Sequence, residues 1–164
     1  MKNLIGGCLS VLLLATGSTA MAIPINYDNI SSSPQQVALQ VNVPHITSSG
    51  VINNSHFIRV AVVGMSLENI NIYLPSQMER FNGIKIKDKS GRDIAAKTEV
   101  TKERLSITFD QPITPGNSLE VQFTNVQART SISRILLYGV TAKRVGLRGE
   151  IPIGTARVDL PDKS

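Results

Sequence analysis

Three features of the 164-residue sequence predict an all-β fold, a single antiparallel β-sandwich of immunoglobulin-like type. Apolar residues recur at every second position through most of the chain, which is the period of half-buried strands. Turn residues punctuate these runs at short intervals, and no window carries the spacing of a long amphipathic helix. The chain is also long enough to bury roughly two thirds of its surface around one core, so one domain suffices. A small closed β-barrel uses the same pattern and stays open as the alternative.

The first 22 residues, MKNLIGGCLSVLLLATGSTAMA, have the layout of a secretory signal peptide. Lys2 supplies the charged start, residues 9–15 the apolar run and Ala20-Met21-Ala22 a small-residue cleavage signal. That run falls short of the ~20 apolar residues that cross a bilayer as a helix, and no later stretch approaches that length, so no transmembrane segment is expected. Cys8 precedes the apolar run, the reverse of the order in a lipid-attachment box, and no acyl anchor is expected on it. Loss of the leader removes the one cysteine, which leaves stability to a packed core rather than to disulfides. The expected organisation is a leader at 1–22, a flexible segment at 23–34, the sandwich at 35–160 and a tail at 161–164. The expected location is the periplasm or the cell exterior, in association with the cell envelope.

Within the sandwich each strand rests on its own alternation. Val37, Leu39, Val41 and Val43 alternate with Ala38, Gln40 and Asn42, which predicts a first strand in QQVALQVNV. Ile58, Val60 and Val62 form the next inward set, with Phe57, Arg59 and Ala61 on the other face. Ile70, Ile72 and Leu74 alternate with Asn71 and Tyr73. The stretch GIKIKDKSGRDIAAKTEV reads as a hairpin with Ile84 and Ile86 inward, Lys85 and Lys87 outward, and KSGR as its turn. Leu105, Ile107 and Phe109, then Leu119, Val121 and Phe123, are expected to be buried together. RILLYGVTA and IGTARVDL supply the last two strands.

Between Phe109 and Phe123 the sequence FDQPITPGNSLEVQF sets a strand, a stop, a turn and another strand. Pro112 has no N–H to give a ladder and is expected to end its strand at Asp110. Thr114-Pro115-Gly116-Asn117 fits a type II turn, in which proline presets the first central φ and glycine accepts the positive second one.

FDQPITPGNSLEVQFTNVQ, ILLYGVTAKRVG and IPIGTARV together resemble a family of exported cyanobacterial proteins catalogued as a domain of unknown function. The shared features are a Pro-x-x-Pro-Gly turn between two strands, a Tyr-centred strand close to Gly-Val-Thr-Ala, and a late Gly-x-x-Arg strand. The resemblance implies source and compartment, and it implies no reaction.

No catalytic or cofactor motif stands out. His45 and His56 are eleven residues apart, without the spacing of a metal site, and no nucleophile elbow, phosphate loop or dinucleotide fingerprint occurs. Glu99, Glu103, Asp110 and Glu120 read as outward polar positions of strands and turns. The expectation is a protein that is not an enzyme and carries no cofactor or metal.

Charge points to a partner. The chain has a formal charge of +5, and between Gln127 and Val158 six cations stand against the single anion Glu150. Arg129, Arg134, Lys143, Arg144 and Arg148 are therefore the candidate residues for an anionic envelope polysaccharide or protein partner, provided that their side chains converge. Nucleic acid is not expected as a partner of an exported protein. The sequence has no Trp, and with Phe109 and Phe123 assigned to the core, Tyr27, Phe57, Tyr73, Phe81 and Tyr138 remain as platform residues for a stacking ligand. The second expectation is a structural subunit that assembles by β-strand addition through QQVALQVNV. The oligomeric state is open.

Overall fold

The computed structural model describes residues 42–129 and 133–161. Their strands are β1 (His45–Ile52), β2 (Ser55–Ala61), β3 (Leu67–Tyr73), β4 (Met78–Arg80), β5 (Gly83–Asp88) and β6 (Ala96–Val100). They continue with β7 (Arg104–Ile113), β8 (Ser118–Thr124), β9 (Gln127–Ala128), β10 (Ile135–Arg144) and β11 (Glu150–Asp159). One layer has the order β1-β2-β8-β5 and the other β11-β10-β3-β7-β6, while β4 and β9 pair by themselves. Every strand pairing is antiparallel.

In immunoglobulin variable-type lettering the layers are A-B-E-D facing G-F-C-C′-C″. The chain visits them in its own sequence. From β3 it crosses to the edge strand β5, returns to the facing edge of the five-stranded layer at β6, moves inward to β7 and crosses again to β8. The layers stay distinct, since β1 and β11 meet side by side through the Ser49 hydroxyl donating to the Arg157 carbonyl at 2.7 Å, without a ladder. The fold is thus a sandwich and not the closed barrel kept as its alternative.

Alternation located most of the core. Ile58, Val60 and Val62 from one layer meet Ile70, Ile72, Leu105 and Ile107 from the other, all at most 1% exposed. Leu119, Val121 and Phe123 face Phe109 and its neighbours across the interlayer space, as expected. Phe123 stacks on Tyr138 with ring centroids 5.6 Å apart, and Phe81 meets it edge-on at 5.2 Å. The Tyr138 hydroxyl is hydrogen-bonded to Nδ1 of the buried His56 at 2.6 Å, so the one polar tip in this aromatic cluster is satisfied.

Three local expectations are corrected. Asn42 and Val43 of the expected first strand are not in a strand, and its remaining residues lie outside the described ones. The first described strand is HITSSGVI, whose glycine is covered by Phe57 from β2: a Cβ at Gly50 would stand 3.1 Å from the ring. The expected hairpin closes only at its turn, where Ile94 N–H donates to the Ile86 carbonyl at 2.8 Å. The chain then leaves β5, and β6 pairs with β7 in the other layer, from Ala96 opposite Phe109 to Val100 opposite Leu105. Pro112 does not end its strand either. Between the pairs Asn69–Thr108 and Leu67–Ile113 the register shifts, and Pro112 lies in that bulge, where a missing N–H breaks no ladder bond.

The turn after β7 forms as expected, with Gly116 at φ +83° and Asn117 N–H reaching the Thr114 carbonyl at 3.4 Å. A Cβ on Gly116 would meet nothing within 4 Å, so a substitution there is opposed by backbone strain alone. Gly116→Val is expected to lower stability by about 1–2 kcal/mol in urea unfolding, and Gly116→Asn by clearly less, because Asn tolerates the left-handed region. Equal losses for both would mean that something other than φ sets the effect.

Candidate binding surface

The outward residues of the five-stranded layer form cross-strand rows, because the registers of four pairings align. One row runs Glu150, Lys143, Asn69, Thr108, Lys97 from β11 to β6. The next runs Pro152, Thr141, Asn71, Ser106, Glu99, and a third runs Thr155, Gly139, Tyr73, Arg104. Neighbouring strands lie about 4.8 Å apart, so the members of a row are within side-chain reach of one another.

At the centre of this face sits Asn71, only 2% exposed although it points away from the core. Its burial requires hydrogen bonds, and they run in one direction. The Ser106 hydroxyl donates to Asn71 Oδ1, Asn71 Nδ2 donates to Asn69 Oδ1 at 2.9 Å, and Asn69 Nδ2 donates to Thr108 Oγ1 at 3.1 Å. Each group is thereby linked to the next, and the exposed Thr108 hydroxyl ends the chain. A depression of about 320 Å³ lies over this network, bounded by Arg104 on one side and by Lys143, Glu68 and Glu150 on the other. Lys143 pairs with Glu68 at 3.2 Å, and the Thr141 hydroxyl donates to Glu150 at 2.6 Å.

Tyr73 closes the face at its lower side. Its ring leans over Gly139, where a Cβ would stand 3.5 Å from Cδ2, and it stays 43% exposed. Leu137, diagonal to it on β10, is 54% exposed. The other platform residues are committed elsewhere: Tyr138 and Phe81 belong to the aromatic cluster, and Phe57 covers Gly50 with the Arg59 guanidinium 5.1 Å from its ring centroid. Tyr27 lies outside the described residues.

The outer face of the four-stranded layer is different in kind. A larger depression of about 530 Å³ opens there, but its carboxylates and Arg59 are already engaged. Arg59 pairs with Glu120, Gln122 donates to the same carboxylate, and Asp88 accepts from Ser90 and Arg92 in the adjoining turn. The Ser90 hydroxyl, followed by the Arg92 bonds, holds the Asp88 carboxyl well below the usual carboxylate range.

The five cations named from the sequence are spread over both ends of the sandwich. Arg129 follows β9 at the lower end, bonded through its backbone to Gln77 and paired with Glu79 at 3.0 Å. Arg134 precedes β10 at the same end, where its carbonyl accepts from Leu160 at 2.8 Å. Lys143, Arg144 and Arg148 stand at the upper end, about 30 Å away along a ten-residue strand. Arg144 turns inward, its Nη2 donating to the Val63 carbonyl at 3.3 Å. It packs so closely beside Gly64 that a Cβ there would stand 2.6 Å both from Arg144 and from the Asn42 carbonyl. Arg148 is exposed in the β10–β11 turn. The convergence of all five that the sequence suggested is therefore replaced by two groups, and only Lys143 takes part in the face around Asn71.

Sequence reading passed over Asn69, Asn71, Arg104, Ser106 and Thr108 as site residues. A signal was present: asparagine is depleted in strands, yet N-I-N-I-Y places two of them on alternate positions of a central one.

The domain is an antiparallel β-sandwich with a buried apolar core and a hydrogen-bonded polar outer face. The chain belongs to the family described as a protein of unknown function (DUF2808), which it matches over residues 51–155. No curated protein matches it. Among solved structures it is similar to ACE19, the collagen-binding subdomain of the Enterococcus faecalis surface protein ACE, at 14% identity and TM-score 0.44, over 68% of this chain and 93% of that one. It is similar also to BslA, a bacterial hydrophobin, at 11% identity and TM-score 0.41, over 74% and 93% of the two chains. The C-terminal domain of the Streptococcus pyogenes antigen I/II-family protein AspA gives 11% and 0.39, over 71% and 45%. The sandwich itself is established by the strand order above. Among the described residues no helix is long and apolar enough to cross a membrane.

Proposed function

We propose that this protein is an exported, non-catalytic interaction module of the cell envelope, which holds an envelope polysaccharide or protein across the outer face of its five-stranded layer. The observation that carries the reading is the buried Asn71 network. A side chain pointing out of the core that is nonetheless enclosed and hydrogen-bonded through both its amide oxygen and its nitrogen marks a surface held rigid before any partner arrives, and such preorganisation lowers the entropy lost on binding. Export rests on the leader-like first 22 residues. Arg148 stands exposed at the upper end beside the face, where it attracts anionic groups of the envelope, while Lys143 within the face is paired with Glu68.

Retention of the tagged full-length protein on isolated envelope tests this. Thr108→Arg sets a bulky cation on the exposed end of the network without touching the core and should reduce retention by roughly tenfold. Charge reversal at Lys143 and Arg148 together should reduce it less, and in a manner that added salt reproduces. Retention that is unchanged in Thr108→Arg would exclude the face.

A further inference from the structure

We infer that the ligand of this face is a hydroxyl-rich, uncharged polysaccharide, with one sugar ring stacked on Tyr73 and its hydroxyls paired with Asn69, Ser106 and Thr108, the accessible members of the network that the buried Asn71 holds in place. The inference rests on the reading of the face as the binding surface and adds the class of ligand.

Three observations carry it. The first is the kind of polar group at the centre: short amides and hydroxyls, each able to donate and accept, held at fixed spacing by one another. A sugar ring offers adjacent hydroxyls with the same double capacity, so a preformed amide and hydroxyl array matches it in either sense of donation. Hydrogen bonds linked head to tail also strengthen one another, and the chain running from Ser106 through Asn71 and Asn69 makes the Thr108 hydroxyl proton, at its end, a better donor.

The second is the aromatic. Tyr73 is the described aromatic side chain among the platform residues whose ring lies on an outer face beside such an array, and Gly139 beneath it leaves nothing to cover it. A pyranose presents C–H groups on its flat side and hydroxyls at its rim. A ring on Tyr73 therefore sets its rim toward Arg104 in the same row and toward Ser106 in the next, one strand step of about 7 Å along.

Charge is the third. Around the network Lys97, Arg104 and Lys143 are balanced by Glu68, Glu99 and Glu150, and Lys143 is already paired with Glu68. A polyanion would find these cations offset by an equal number of carboxylates, whereas a neutral chain crosses them without penalty. A protein strand would need an unpaired backbone edge, and β3 and β7, which carry the network, are paired on both sides.

The test uses the full-length exported protein and affinity electrophoresis through gels containing soluble neutral probes, namely a β-glucan, a xylan and a galactomannan, with a polyuronate as the charged comparison. The expected result is retardation by at least one neutral probe that persists at raised salt, a loss of roughly tenfold for Tyr73→Ala and near-native binding for Tyr73→Phe, which keeps the ring. Because Tyr73 is exposed, Tyr73→Ala should melt with the native protein, and Thr108→Ala gives a second, milder reduction at an exposed position. Binding of the polyuronate alone, abolished by salt, overturns the inference, as does neutral binding that Tyr73→Ala leaves intact. If no probe is retarded while Thr108→Arg still loses envelope retention, the face stands and its ligand is a protein. If Thr108→Arg keeps retention, the face itself fails and the inference with it.

Discussion

Phe123→Ala is expected to destabilise the protein by about 3–5 kcal/mol, the range for removing a large aromatic from a packed core. Phe123 is fully buried near the end of β8, where it stacks on Tyr138 from one side and receives Phe81 edge-on from another. Its loss leaves a void between partners that cannot close, since Tyr138 is tied by its hydroxyl to His56 and by its strand to both β3 and β11. Aromatic pairing beyond simple burial is lost as well. Equilibrium urea unfolding measures the difference. A loss below about 1 kcal/mol would mean that the cavity collapses and that the aromatic cluster is not the keystone of the core.

Acid should weaken the fold through His56. This imidazole is 2% exposed, and burial lowers its pKa from 6.5 to about 4. The unfolded chain therefore binds a proton below pH 6.5 that the native chain refuses until about pH 4. Its contribution is full above pH 6.5, is lost progressively as the pH falls to about 4, and changes no further below that. The total is roughly 3 kcal/mol, at 1.36 kcal/mol for each unit between the two values. The drop in unfolding free energy from pH 7 to pH 4 should be smaller by about this amount in His56→Gln, which keeps a polar group for Tyr138 but does not titrate. Carboxylates titrate alike in both proteins and cancel in the difference. Equal drops would show that His56 accepts its proton in the native state near the ordinary pH. Burial likewise pushes the Tyr138 hydroxyl above its ordinary range, so it remains a neutral partner throughout.

Much of the core was legible because burial in a strand is a local matter. Ile58, Val60 and Val62, or Leu105, Ile107 and Phe109, fall inside by alternation whichever strand lies beside them. HITSSGVI escaped because Ser48, Ser49 and Gly50 have no strand preference of their own; Gly50 is acceptable there once Phe57 covers it. The KSGR turn was legible, but the departure of β6 was not, because a turn fixes only its own few residues and the competing partner β7 comes later in the chain. Pro112 was misplaced for a related reason. Proline excludes a ladder bond, and only the register against β3 reveals that a bulge requires none at that position.

The sequence by itself determined the alternation, the turn at Gly116 and hence an all-β fold with a packed core, since each of these is decided within a few residues by steric and solvent preferences; the choice of sandwich over barrel needed the strand order. Only the tertiary structure decided where chemistry gathers. Arg134 and Arg144 are near neighbours in the chain yet lie at opposite ends of β10, because a strand carries its residues apart at about 3.3 Å each. Asn71 and Ser106 are 35 residues apart yet bonded, because the registers of β3 and β7 set them in one row. Proximity across a sheet is a property of strand order and register, and both follow from the whole core closing at once rather than from any segment alone.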